Sequence, residues 1–283
     1  MKEIVCENKL NRLCIGFGTA DLSGPAEDLV FCAIQAGYRL IDTAAVYGSE
    51  EAVGRALRRA MDSGLVKREE LFVQTKVSPA NHGYQEAKAG VEQSLNQLQV
   101  DYLDAYLIHW PVPRGQEETY REKNLETWQA LTELQQKGCI RYTGVCNFLE
   151  RHLLQLTENG LPMPAINQLE IHPAFQQRGL VRFCKERGIT VQAWSPMGRG
   201  VLQTPEFNAM AERYDKNIGQ LALRWSIQNG FIPLTRSSVP QHIQRNIEIL
   251  DFAITEEDMM RLNALNTNDQ HLDIWSYRRQ QMY

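Results

Sequence analysis

The chain has 283 residues, with 30 basic and 34 acidic side chains and a formal net charge of −4. The charges are well mixed and no apolar run is long enough for a bilayer span, so nucleic acid and membrane are excluded as expected partners. The six cysteines (Cys6, Cys14, Cys32, Cys139, Cys146 and Cys184) are scattered without a C-x-x-C pair, which favours a reducing compartment over a disulfide framework or a zinc site.

In chain order, two short segments come first. Ile4–Cys6 and Leu10–Arg12, joined at Glu7-Asn8-Lys9, predict a small β-hairpin. Eight short apolar runs follow: Leu13–Gly16, Arg39–Asp42, Leu71–Lys76, Tyr102–Ile108, Tyr142–Cys146, Ile166–Glu170, Thr190–Trp194 and Phe231–Leu234. Runs of this length suit strands buried on both faces. Between them lie stripes at helical spacing: Ala52, Val53, Ala56, Leu57 and Ala60; Ala87, Val91, Leu95 and Leu98; Leu125, Trp128, Leu131 and Leu134; Ile218, Leu221, Ala222 and Trp225. Strands alternating with helices predict a parallel α/β sheet with right-handed crossovers, either closed into a barrel or open and doubly wound. Thr255 to Asn266 predicts an extra helix opened by a capping box at Thr255 and Asp258, and Thr267 to Tyr283 a terminal loop.

Polar residues stand where apolar strands finish. Asp42 ends one run, Lys76 another, His109 follows a third, and Asn147 a fourth. The first three are spaced by about one strand–helix unit each. In a (β/α)8 barrel the segments after strand C-termini converge on one face, and that face carries the chemistry. Asp42, Lys76 and His109 should therefore meet, with Tyr47 reaching in from the loop after Asp42. Singly, each residue is more often structural. Together they suit one reaction. A free phenol is a poor acid, with a pKa of about 10. A nearby ammonium lowers that value by favouring the phenolate, a carboxylate holds the ammonium, and an imidazole orients a carbonyl oxygen or relays its proton. The set predicts a proton-donating site for carbonyl reduction that needs a hydride source.

The stretch Gly37-Tyr-Arg-Leu-Ile-Asp-Thr-Ala44, followed by Glu50 and Val53-Gly54, resembles the first signature of the aldo-keto reductases. The resemblance runs through nearly the whole chain and implies a (β/α)8 TIM barrel with an N-terminal β-hairpin and a C-terminal extra helix and loop, as one domain over residues 1–283. It also implies NAD(P)H-linked carbonyl reduction, with a catalytic tetrad at Asp42, Tyr47, Lys76 and His109. Gly144-Val-Cys-Asn-Phe148 resembles a family motif whose Ser and Asn hold the nicotinamide carboxamide, which maps to Cys146 and Asn147; Gln168 is implied as a further contact. Cys146 departs from the family Ser, and a thiol is the weaker hydrogen-bonding group. Trp194-Ser-Pro-Met-Gly-Arg-Gly200 resembles the motif whose Trp stacks on the nicotinamide while the loop, including Ser195, covers the pyrophosphate. The segment Phe231 to Asn246 resembles the 2′-phosphate site, implying contacts from Arg236, Ser237, Ser238, His242 and Asn246. A helix N-terminus with cationic side chains is a physical phosphate site. Here Arg236 replaces a family Lys, His242 a family Arg and Arg245 a family Glu; positive charge survives, so NADPH is expected, with NADH possible. At the substrate end, Ala20 and Ser78 stand where the family usually carries aromatics, while Trp110 remains beside His109. That implies a roomier or more polar pocket, completed by the loop Pro111–Asn124 and the C-terminal tail.

The resemblance leaves two non-catalytic readings on the same fold: a regulatory subunit, as in the potassium-channel β-subunits, and a structural protein, as in lens crystallins. The intact tetrad argues for an enzyme. An unrelated barrel lyase or isomerase would make the long signature a coincidence. The opening segment MKEIVCENKL lacks the apolar core of a signal peptide, so the expected state is a cytoplasmic monomer acting on a small-molecule carbonyl substrate without a metal.

Overall fold

Strands that are apolar on both faces must be covered on both. A computed structural model, describing residues 13–22, 24–113 and 115–267, shows how this chain does so. The strands are β1 (Gly16–Gly18), β2 (Leu40–Asp42), β3 (Phe72–Val77), β4 (Leu103–Ile108), β5 (Ile140–Cys146), β6 (Ile166–Glu170), β7 (Thr190–Trp194) and β8 (Ile232–Thr235). Each pairs in parallel with its sequence neighbour, and β8 closes onto β1, so the sheet is a closed barrel rather than an open one. The described helices are α1 (Ala26–Gln35), α2 (Glu50–Asp62), α3 (Tyr84–Leu98), α4 (Tyr120–Gln136), α5 (Glu150–Glu158), α6 (Arg178–Glu186), α7 (Pro205–Arg213), α8 (Ile218–Gln228), α9 (Pro240–Ile247) and α10 (Glu256–Ala264). The main apolar core fills the space between barrel and helices. A smaller cluster, including Leu40, Phe72, Leu107, Ile166 and Leu234, fills the barrel interior. Among the described residues no helix is long and apolar enough to cross a membrane.

The predicted first strand, Leu13–Gly16, lies one turn of sequence too early: β1 is Gly16-Phe17-Gly18. Glycine there is not a breaker. A Cβ on Gly16 would meet side-chain carbons of Leu234 and Leu40 at 2.5 Å, so its absence lets the barrel close at this point. The predicted extra helix is present as α10, but only half of the expected capping box forms: Thr255 accepts from the Asp258 N–H, while the Thr255 N–H donates to Tyr214 Oη, whose hydroxyl in turn donates to the Asp258 carboxylate. A second insertion, α7 in the connection after β7, was not predicted. Its signal is Thr204-Pro205: Thr204 caps by accepting from the Phe207 N–H (3.2 Å), and Pro205 begins the helix. The predicted N-terminal hairpin lies outside the described residues, as does the tail beyond Thr267. Cys32, Cys139, Cys146 and Cys184 are free thiols, whereas Cys14 is disulfide-bonded, an exception to the expectation of unpaired cysteines.

Candidate active site

Alternation along parallel strands sends every second residue into the barrel. On β2 and β3 this brings Asp42, Gln74 and Lys76 inside, near the end where the strands finish. Lys76 is fully buried, and its ammonium donates to Asp42 Oδ1 (2.7 Å) and to the Thr43 carbonyl (2.8 Å). Asp42 Oδ1 also accepts from Gln74 Nε2 (2.6 Å) and Gln168 Nε2 (3.1 Å). Gln74 and Gln192 exchange amide hydrogen bonds at 2.9 and 2.8 Å, and Gln168 adds a third to Gln192 Oε1 at 3.0 Å. Three glutamines thus span β3, β6 and β7 beneath one aspartate. A buried carboxylate with several donors and one cation meets the condition for a buried charge. The sequence reading singled out Gln168 but not Gln74 or Gln192.

Tyr47 ends a single 3₁₀ turn, Ala45–Tyr47, directly after β2. Lys76 Nζ lies 5.3 Å from the centre of its ring. The His109 ring meets it edge-on, with centroids 5.7 Å apart at 81°. Trp110 stacks beside His109 at 6.4 Å and 23°. The four residues predicted to converge do so. Burial pushes the Tyr47 phenol up to about 12, with Lys76 pulling it back down and Asp42 adding to the rise. The sequence reading expected the ammonium to dominate; desolvation outweighs it. Burial is also the largest effect on Lys76 and acts to lower it, yet Asp42 and Tyr47 together keep the ammonium raised above its ordinary value. Burial, then Lys76, hold His109 well below the usual imidazole range, so its ring is neutral near pH 7.

The segments after β5 and β7 build the next part of the rim. Asn147 and Ser195 both take left-handed backbone, at φ 62° and 49°. Such conformations in non-glycine residues cluster at functional sites. Asn147 Nδ2 donates to the His109 carbonyl (3.2 Å), and Asn147 Oδ1 accepts from Trp194 Nε1 (3.0 Å). This small bridge ties the ends of β4, β5 and β7. Cys146 is buried, accepts from Asn147 Nδ2 (3.1 Å) and faces Gln168 Oε1 (3.7 Å). Arg199 donates to Ser195 Oγ (3.1 Å).

The third part lies after β8. Arg236 donates to the Asp21 carbonyl (2.7 Å), a neutral acceptor. Ser237 Oγ accepts from the Val239 N–H (3.0 Å), shaping the turn into α9. His242 and Arg245 are exposed on α9. Asn246 is buried and donates to Thr235 Oγ1 (3.0 Å), fastening α9 to β8. Ala20 and Ser78 are half-buried on the loops after β1 and β3, and Ser78 caps the turn Pro79–Asn81.

The aldo/keto reductase family model matches residues 14–267. The chain belongs to the aldo/keto reductase family. It is 43% identical to the uncharacterised oxidoreductase YtbE of Bacillus subtilis over 83% of this chain and 82% of that protein. It is 40% identical to the glyoxal reductase of the same organism, over 90% and 88%. Among solved structures, a Bombyx mori aldo-keto reductase determined in complex with NADP superposes with a TM-score of 0.86 at 36% identity, covering 95% of this chain and 94% of that one. As an aldo-keto reductase the protein is an oxidoreductase. The signature residue Glu50 is buried near Lys76. It accepts from Thr75 Oγ1 (2.7 Å), and burial pushes its carboxyl up.

Proposed function

We propose that this aldo-keto reductase reduces the carbonyl group of small aldehydes or ketones with NADPH, and that Tyr47 is the proton donor. The observation that carries the reading is the Asp42–Lys76 pair, buried and 2.7 Å apart, with its ammonium 5.3 Å from the Tyr47 ring. A phenol raised to about 12 keeps its proton throughout the neutral range, as a donor to a developing alkoxide must. The ammonium stabilises the phenolate left behind, and Asp42 fixes the ammonium. Neutral His109 can donate one N–H to the carbonyl oxygen and so orient it beside Tyr47. Asn147 and Cys146 would hold the nicotinamide carboxamide, Gln168 would adjoin it, Trp194 would lie against the ring, and Ser195 would serve the pyrophosphate. Arg236, Ser237, Ser238, His242 and Asn246 would hold the adenosine phosphate. The guanidinium of Arg236 and the start of α9 suit a 2′-phosphate. When bound, the reduced nicotinamide supplies the hydride. Ala20, Ser78 and Trp110 would line the substrate pocket.

The test is loss of reduced-nicotinamide absorbance with a panel running from glyoxal to bulky ketones, with NADPH and NADH in turn. Turnover that prefers NADPH is expected. Cofactor binding with no turnover of any carbonyl would overturn the reading in favour of a regulatory role on this fold.

A further inference from the structure

Behind His109 lies a seam of buried polar atoms that the site described above does not use. His82 closes the turn Pro79–Asn81 after β3 and is only 4% exposed. Among the described residues neither of its ring nitrogens has a hydrogen-bond partner, and neither has Nδ1 of His109. The seam continues into the loop after β4. Gln116 Nε2 donates to the Pro79 carbonyl (3.0 Å) and Asn124 Nδ2 to the Pro111 carbonyl (2.8 Å), while Gln116 Oε1 and Asn124 Oδ1 are enclosed and have no partner among the described residues. Orphaned buried polar atoms are uncommon, and several together suit an internal water that bridges them.

The mount of His82 is firm. Ser78 Oγ accepts from the Ala80 N–H at one end of its turn. At the other end the Gly83 N–H donates to Thr127 Oγ1 of α4 (2.8 Å), at φ 128° that favours glycine. The charged or titratable groups that bear on the two rings are Lys123 on His82, and Lys76 and then His82 itself on His109. Burial first, then Lys123, lowers His82 to about 4, so both rings are neutral near pH 7. A neutral imidazole has one donor and one acceptor nitrogen, and the partner of one decides the role of the other.

We propose that His82 is a positioning residue for His109: through an internal water it supplies a donor to Nδ1 and so holds the His109 proton on Nε2, the nitrogen left to the carbonyl oxygen. The inference rests on the proposed role of His109 in carbonyl reduction, but its central claim is a tautomer, which can be read without turnover.

The experiment is ¹⁵N NMR of the histidine rings in the full chain labelled at its six histidines, with His109→Asn assigning the resonance. Native His109 should carry its proton on Nε2. His82→Phe removes both ring nitrogens and should shift His109 toward mixed tautomers. It should also lower kcat about tenfold, with KM for the aldehyde and Kd for NADPH kept within about twofold. His82→Gln retains an N–H donor and should restore much of both. A native His109 protonated on Nδ1 overturns the proposal without any variant. So does a folded His82→Phe protein with an unchanged tautomer, or one in which only the melting temperature moves. A protein that shows the tautomer coupling but reduces no carbonyl would refute the proposed function and leave the coupling standing.

Discussion

The barrel holds a buried aspartate at each end, and each is tied to a cation that lies over a tyrosine ring. At the base, Asp104 pairs with Arg68 (2.8 Å) and Arg141 (3.0 Å) and accepts from the Val73 N–H (2.9 Å). Both guanidinium groups lie about the Tyr102 ring, 3.9 and 4.0 Å from its centre. At the mouth, Asp42 holds Lys76, which lies 5.3 Å from the Tyr47 ring. The difference is in what else the cation touches. At the base Arg68 donates onward to the Leu71 and Tyr102 carbonyls, and Arg141 is half-exposed, so the charges are spread through backbone and solvent. At the mouth a single enclosed ammonium is shared between one carboxylate, one carbonyl and one phenol. The base is a staple across β3, β4 and β5. The mouth is a charge held where a proton can move.

The largest effect that sharpens this contrast is expected at the mouth. Tyr47→Phe removes only the hydroxyl and should lower kcat for carbonyl reduction by about 10² to 10⁴, with melting temperature and NADPH affinity nearly unchanged. Near-native turnover would remove Tyr47 as the acid. Lys76→Met should be as damaging to turnover, but it also strands Asp42 without its cation and should cost about 3–5 kcal/mol of stability. The native pH profile follows from the raised phenol. Because Tyr47 is protonated below about 12, reduction should stay flat from about pH 6 to about 9. Alcohol oxidation, which needs the phenolate, should rise with pH over the same range. A reduction rate that falls tenfold per pH unit above neutrality would show that Tyr47 loses its proton far earlier.

Next in size is the base, where the readouts should exchange. Asp104→Asn keeps the shape but removes the charge that two arginines surround, and should destabilise the fold by about 1–3 kcal/mol. Its kcat should remain native, measured alongside a urea unfolding midpoint. If kcat falls as far as stability does, the two ends are coupled and the division drawn here between staple and site is wrong.

The contrast also shows what the sequence could carry. Asp42, Lys76 and His109 were legible because a polar residue closing an apolar run stands out, and the spacing of one strand–helix unit puts such residues on one rim. Gln74 and Gln192 were not. Each sits inside a strand buried on both faces, where alternation does not mark which side is the barrel interior, and a lone glutamine reads as a neutral position. The weight of burial on Tyr47 was hidden for a similar reason: the sequence names the neighbouring ammonium but not the enclosure. The first strand was placed too early because a strand that begins at Gly16 depends on Leu40 and Leu234 from distant strands. The turn holding His82 gave no signal, since its unpartnered nitrogens exist only once β3 and β4 lie side by side.

Cofactor binding tests the rim between these extremes. Arg236→Ala should weaken NADPH binding by about tenfold or more, with NADH affected little, because the proposed charge-assisted contact is to the 2′-phosphate, which NADH lacks. His242→Arg should move the preference a smaller step toward NADPH. Equal losses for both cofactors in Arg236→Ala would make its contact with Asp21 structural rather than a phosphate site. Fluorescence titration with each cofactor separates the two.

The smallest expected effect lies at the proposed carboxamide contact. Cys146 stands where the motif that Gly144–Phe148 resembles carries serine, and in this protein its Sγ sits 3.7 Å from Gln168 Oε1 and 3.1 Å from Asn147 Nδ2. Burial keeps the thiol protonated, so it is a weak donor toward Gln168 and a weak acceptor from Asn147. Cys146→Ser places a smaller, more polar atom at the same point. The hydroxyl is the better partner for a carboxamide, and NADPH binding should tighten by about 1 kcal/mol at most, with kcat retained. Two opposing terms keep the gain small: the hydroxyl is costlier to bury than the thiol, and it can strengthen its bond to Gln168 instead, drawing that amide further into the network under Asp42. The balance is readable from one pair of measurements. Tighter NADPH binding at constant stability supports a cofactor contact at Cys146. Gained stability with unchanged affinity would mean that the new hydroxyl serves the Gln168–Asp42 network, and clear loss of affinity would mean that the thiol fits this rim better than the family's serine does.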